Sequence, residues 1–429
     1  MEANFMESLN LTIDGNRLWN QIMAFGKIGE GDNGGVTRTS FDQKDIEARK
    51  YFLNLLEQAD LSPYMDAAGN IFGQIKGKNP ELPAILIGSH LDTVNSGGRF
   101  DGAMGVLMGV EVLCTLKEKG IQPERTIKVV SLTDEEGARF DYAFVGSTAL
   151  VGNEGSKLKE NLAAATDKDG ITYLEAMKQA GLEGEYFNQI NPDLLEQAQV
   201  GKNDVKAYIE VHIEQGKVLE NEDLAVGIVT GISGGEWSEV TIMGEAGHAG
   251  TTWMKERKDA LTAAAECIVA IEKIARDNIG SVATVGKLEV KPGSSNVIPG
   301  RVDFTLDVRD ISNERRQNTV TKIYDSIRTI AANRGLGCEI RQVQSLSSVM
   351  SSPIVMEAVK DSLQELEYPV YELPSGAAHD AMVMGELTDI GMIFVRSKSG
   401  ISHHPDEWSS FEDVALGCEV LYRTTLKLL

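Results

Sequence analysis

The chain has 429 residues, a formal net charge of −23, and 42% hydrophobic and 24% charged residues. This much acid disfavours nucleic acid and anionic membranes as partners, so an anionic substrate has to be caught by local cations inside a pocket. The length exceeds what one hydrophobic core fills, which predicts two domains, and no apolar run reaches the roughly 18 residues of a membrane span.

The opening MEANFMESLN has neither the basic nor the apolar stretch of a secretory leader, so the cytoplasm is the expected compartment. Next, PAILIGSH (83–90) and RTIKVVSLT (125–133) read as buried strands. Between them GAMGVLMGVEVLCTLKEKG (102–120) has helical apolar spacing, basic residues in its last turn and a closing glycine. Strand, helix and strand in this order predict a parallel βαβ unit. Residues 153–204 are rich in Glu, Gln and Asn and read as a surface excursion with short helical pieces.

KAYIEVHIEQG (206–216) alternates as a strand does. VGIVTGI and SEVTIMGE then read as strands, 258–277 as a helix, TVGKLEV and RVDFTLDVRD as strands, and 311–334 as a helix. This β-β-α-β-β-α run has the size of a small domain. A helix near 353–366, the strand GMIFVRS and a helix from Phe411 return the chain to α/β texture. The expected architecture is therefore α/β, with a larger mixed-sheet domain over 1–216 and 335–429 and a compact α+β domain inserted over 217–334. Cys114, Cys267, Cys338 and Cys418 are far apart with no CxxC pair, and at least three fall in helix-like stretches, so buried reduced thiols are expected.

GSHLDTVNSGGRFDG starts at the C-terminal end of a parallel strand, where open α/β sheets place their sites. His90 and Asp92 share a face if the strand continues, and a ligating imidazole commonly gives its other N–H to such a carboxylate. Asp101 lies at the mouth of the next helix, where it either caps the helix or gives one oxygen to each of two metal ions. TDEEG (133–137) emerges on the same rim, and adjacent carboxylates there call for cations: one can bind metal while its neighbour moves a proton. His212 sits on the polar side of its strand with Tyr208, Glu210 and Glu214, a side that in an ordinary strand meets water. The chain has only six histidines. The others are His248, His379 and the pair His403–His404, of which spacing does not choose the ligand.

The motifs GSHLDTVNSGGRFDGAMGV, TDEEGARF, IEVHIEQGKVLE, AGHAGTTWMKERKDAL, NVIPGRVDFTLDVRD, PSGAAHDAM and GISHHPDEWS follow one another along the chain. In these the chain resembles, over essentially its whole length, the amidase branch of the M20 metallopeptidase family. That branch includes N-carbamoyl-L-amino-acid hydrolases, allantoate amidohydrolases and yeast-type β-ureidopropionases. The resemblance implies two divalent ions (zinc, manganese, cobalt or nickel), one held by His90, Asp101 and His212 and the other by Asp101, Glu136 and His403. It makes Glu135 the general base and Asp92 the residue that orients the ligand His90. It makes His248 a stabiliser of the oxyanion, and it places Gln215, His248, Asn296, Arg309, Gly376 and Ala377 on a small ureido-acid substrate. It also implies that the inserted domain is a lid through which a homodimer forms.

Within the branch, GIVTGISG, LPSGAAHD and GMIFVRSKSGISHHPDEWS look most like bacterial N-carbamoyl-L-amino-acid hydrolases, with Ala378 standing where many relatives carry glycine. Allantoate amidohydrolysis is the nearest alternative activity, followed by an M20 aminoacylase or dipeptidase. A catalytically dead binding protein on the same fold is opposed by the presence of every matched ligand and of Glu135.

Overall fold

A computed structural model describes residues 11–152 and 155–429. Its contacts gather into two units. The first runs to Thr230 and resumes with Met350–Leu373 and His379–Leu429; the second is Gly231–Val349 with Pro374–Ala378.

The first unit is built on a mixed sheet. Neighbour to neighbour, its strands are Tyr64–Met65, Ile71–Ile75, Ile127–Leu132, Ala84–His90, Val205–Ile213 and Asp389–Val395, with Val226–Val229 paired to the last. The central pairs are parallel and the flanking ones antiparallel. Parallel register sets His90 beside Leu132 and His212 beside Phe394, so four strands end on one rim. Every residue of AILIGSH is buried, as expected of a strand covered on both faces.

Helix Ala103–Glu118 is apolar nearly all round because it packs on the sheet and against helices Gly15–Phe25 and Phe411–Leu428. Gly105 allows the close approach, since a Cβ there would overlap the Val211 carbonyl. Fully burying each of its Leu, Val and Met side chains is worth about 1.5–3 kcal/mol. The strand Val205–Ile213 has no wet side: Tyr208, Glu210 and His212 are all buried.

Residues 155–204 are more than a surface excursion. Leu158, Leu162, Tyr173, Met177, Phe187 and Leu195 all enter the main core, carried by short amphipathic helices such as Gly155–Ala164 and Tyr173–Ala180. The helices Gly15–Phe25 and Gln43–Gln58, N-capped by Asp14 and Asp42, complete this unit.

In the second unit an antiparallel sheet runs Leu288–Lys291, Arg301–Asp310, Gly234–Met243, Gly337–Leu346, with Val282–Thr284 beside Arg301–Asp310. Helices Ala260–Asp277 and Asn313–Asn333 cover one face, and Val240, Ile242, Val302, Phe304, Leu306 and Val308 meet Cys267, Ile271, Val320, Ile323 and Ile327 in a separate core. VGIVTGI, which reads from sequence as the first strand of this unit, pairs instead with Asp389–Val395 of the first. Gly337–Leu346 joins as an edge strand and extends the unit beyond 334. TVGKLEV splits between two strands. Cys267 and Cys418 are buried, but Cys114 and Cys338 are only half-buried because the positions they occupy face the edge of a core; all four are free thiols. Among the described residues no helix is long and apolar enough to cross a membrane.

Candidate metal centre

The strand ends at His90, and the chain then turns, so Asp92 does not share a strand face with it. His90 Nδ1 meets the backbone carbonyl of Asp92 at 3.0 Å, while the Asp92 carboxylate stands 3.8 Å away. That carboxylate accepts instead the backbone N–H groups of Glu135 and Glu136, at 3.3 and 3.1 Å. It therefore fixes the turn TDEEG, in which Asp134 is held at φ 57°.

Asp101 is placed by a glycine-lined approach. Gly102 has φ 61°, and a Cβ on it would overlap the His90 ring. The helix begins at Gly102 without a side-chain cap, which removes the capping role from Asp101. Its two oxygens look in different directions. Oδ1 lies 3.4 Å from His90 Nε2 and 3.2 Å from His212 Nε2, whereas Oδ2 lies 3.4 Å from His403 Nε2. The same His403 nitrogen is 3.5 Å from Glu136 Oε1, and Glu135 Oε2 is 3.9 Å from His90 Nε2. His212 donates its Nδ1–H to the Ile213 carbonyl at 3.0 Å, so its Nε2, like that of His90, is the nitrogen turned to Asp101. Gln215, at φ 58°, gives its side-chain N–H to Asp101 Oδ2 at 2.9 Å.

The electrostatics are those of an acid cluster in want of cations. Burial, opposed by His90 and reinforced by Glu136, Asp380 and Asp101, pushes Glu135 well above the ordinary carboxylate range. Burial and the charge of Asp101 push Glu136 up to about 7. Burial disfavours a charged His90, yet Glu135, Asp101 and Asp92 hold its imidazole well above the usual value. The hydrogen bond to Asp101, with Glu136 nearby, raises His403 to about 9. Protons here stand where divalent cations would serve better.

The residues fit such ions. His90, Asp101 and His212 form one group, and Asp101, Glu136 and His403 another, with the ligand atoms of each within 4.8 Å of one another. His90 Nε2 and Glu136 Oε1 are buried and make no hydrogen bond, as atoms reserved for a ligand would. Imidazole and carboxylate donors suit zinc, manganese, cobalt or nickel. Among the described residues two further groups occur: His90, Glu135 and Glu136, and, beneath, Glu210, His212 and His379. Both ring nitrogens of His212 are already engaged above it, and burial together with His212 and His90 keeps His379 neutral.

Residues 86–427 match the profile of Peptidase family M20/M25/M40. An N-carbamoyl-L-amino acid amidohydrolase of Geobacillus stearothermophilus is 46% identical over 416 residues, covering 97% of this chain and 99% of that protein. A ureidoglycolate hydrolase of Arabidopsis thaliana is 36% identical over 423 residues, 98% of this chain and 87% of that protein. Among solved structures, an amidase of the hydantoinase/carbamoylase family from Burkholderia multivorans superposes with a TM-score of 0.89 at 35% identity, covering 97% and 98% of the two chains. The chain belongs to peptidase family M20/M25/M40. It is a hydrolase acting on carbon–nitrogen bonds.

The remaining candidate residues of this M20 enzyme lie on the second unit. His248, on the short strand Gly247–His248, and Asn296, just before its partner strand Val297–Ile298, are both exposed, and the Asn296 carbonyl accepts the N–H of Ala249 at 3.0 Å. Arg309 is forked onto Asp307, gives a hydrogen bond to the Gly376 carbonyl at 3.0 Å and lies over the Trp237 ring. Ala377 follows on the Gly376 loop, its carbonyl bonded by Ser375.

Residue spacing does not mark Ser402 and Glu407, which touch Asp101 directly or through its backbone, nor the burial of Glu210 and Asp380. The one available signal for Glu407 was its place in GISHHPDEWS, four residues after His403.

Proposed function

We propose that this M20 hydrolase cleaves the ureido C–N bond of N-carbamoyl-L-amino acids, releasing the free amino acid, CO2 and ammonia. The observation that carries the reading is Asp101, whose two oxygens face two separate ligand groups, in a chain with motifs of the carbamoylase type throughout. Two divalent ions held there would polarise the resonance-stabilised ureido carbonyl and lower the pKa of a water. Glu135, buried beside His90 and outside the two groups that share Asp101, takes the proton of the attacking water and returns it to the leaving nitrogen. The carbamate left behind breaks down to CO2 and ammonia.

In this reading His248 donates to the oxyanion, Arg309 grips the substrate carboxylate, and Gln215, Asn296, Gly376 and Ala377 line the remainder. Gln215 has a second task, its bond to Asp101. The inserted unit serves as lid and as the contact of a homodimer, the commonest closed assembly.

Ureidoglycolate or allantoate is the second reading, favoured by the similarity to a plant ureidoglycolate hydrolase. A panel of N-carbamoyl-L-amino acids, allantoate, ureidoglycolate, N-acetyl amino acids and dipeptides, followed by ammonia and amine release, separates these. The highest kcat/KM should fall to an N-carbamoyl-L-amino acid; an optimum on any other class overturns the proposal.

A further inference from the structure

Glu407 lies four residues beyond His403 and is only 2% exposed. Its Oε1 accepts the backbone N–H groups of Phe100 and Asp101, each at 3.0 Å, and a Cβ on Gly98 would overlap its carboxyl. Its other oxygen stands 3.1 Å from Ser402 Oγ, and that same hydroxyl stands 2.8 Å from Asp101 Oδ2. Gln215 Nε2 donates to Asp101 Oδ2 and reaches Ser402 Oγ at 3.2 Å, so Ser402 has a donor on one side and two carboxylate acceptors on the other. A hydroxyl carries one proton and can give it to only one of them.

We propose that Glu407 is a positioning residue that draws the Ser402 proton away from Asp101 Oδ2, leaving the lone pair of that oxygen to the ion shared with Glu136 and His403. The inference rests on the two-ion reading above. Its physical content is a contest for one oxygen. A hydrogen bond from Ser402 to Oδ2 competes with coordination at Oδ2. A bond from Ser402 to Glu407 does not.

The isosteric change Glu407→Gln reverses the contest. The Gln oxygen keeps the two backbone N–H groups, its NH2 then donates to Ser402 Oγ, and the hydroxyl proton has Asp101 as its remaining acceptor. Affinity for the second ion should fall about tenfold or more, the range typical of lost outer hydrogen bonds at metal sites, while the first ion is held as before. A residue that only braced the fold would weaken both ions alike.

The test is equilibrium dialysis of the full-length protein against buffered Co2+, with elemental analysis, for wild type, Glu407→Gln, Ser402→Ala and the double variant. Expected are two ions on wild type, selective weakening of the second in Glu407→Gln, and recovery to within about threefold of Ser402→Ala in the double variant, because the competing hydroxyl is gone. Ser402→Ala alone should hold both ions at least as tightly as wild type. This arm still decides the matter if Glu407→Gln does not fold: a tenfold weaker second ion in Ser402→Ala makes Ser402 a supporter of Asp101 and overturns the inference. Unchanged second-ion affinity in Glu407→Gln, or equal loss with and without Ser402, overturns it as well. Wild type taking up fewer than two ions overturns the two-ion reading, and the inference with it.

Discussion

The Asp92 carboxylate receives the backbone N–H of Glu135 at 3.3 Å, and so ties the end of the His90 strand to the turn that carries the proposed base. Through its other oxygen it holds Glu136 as well. Asp92→Ala removes both acceptors and leaves two N–H groups of the buried turn unpaired, at about 1–3 kcal/mol each where water does not replace the partner. Thermal unfolding should show a clear loss of stability, and kcat should fall more than KM rises. Asp92→Asn, which keeps one acceptor oxygen, should lose less of each. Equal kinetics in wild type and Asp92→Ala would remove the turn from the account.

Glu135→Gln keeps the shape of the side chain but not its capacity to take a proton. Turnover should drop by about 10²–10⁴-fold, the usual worth of general acid–base catalysis, with metal content unchanged by elemental analysis. Glu136→Gln should lower metal occupancy first. A Glu135→Gln enzyme of near-normal turnover would place the base elsewhere.

Gly102→Ala forces a side chain into a φ of 61° and onto the His90 ring. Such backbone strain alone costs about 1–3 kcal/mol. The variant should melt earlier and hold the ion shared by His90 and His212 more weakly, as read by calorimetric unfolding and metal analysis. Wild-type values for both would mean that the helix mouth relaxes freely.

Metal uptake should release protons. Asp101 holds the His403 imidazole up at about 9, against an ordinary value near 6.5, and burial lifts Glu136 to about 7. Both must be deprotonated to ligate, and raising the pH removes the competing protons. Apparent affinity should therefore climb from pH 6 to about 9 and level off above. Calorimetric titration in buffers of different ionisation enthalpy reads the proton release at pH 7; no release and a flat pH profile would contradict the assignment of these ligands.

Much of this site is written in the sequence where chemistry and secondary structure coincide. Two apolar runs flanking an apolar helix predict parallel strands, and parallel strands bring His90 and TDEEG to one rim without further information. His212 is harder, because KAYIEVHIEQG has the alternation of a half-wet strand, and only its place between two parallel neighbours buries the polar side. The edge strand Gly337–Leu346 escapes reading since most of its residues are exposed and few are apolar. Glu407 escapes for a different reason: one glutamate in a polar loop resembles any surface acid until Phe100 and Asp101 are folded against it. The placement of Asp92 does not follow from spacing alone, because the strand stops at His90, where the Asp92 carbonyl meets the ring while its carboxylate takes the amides of Glu135 and Glu136.

The central claim is that ureido hydrolysis depends on two ions joined through Asp101. Its most direct test is stepwise metal restoration. Chelator-treated enzyme is titrated with Co2+, Mn2+, Ni2+ or Zn2+, and ammonia release from an N-carbamoyl-L-amino acid is followed against ions bound per chain. The account predicts negligible activity without metal, saturation at two ions, and neither ion nor activity in Asp101→Ala. Full activity in the metal-free enzyme, or saturation at a single ion, would contradict it.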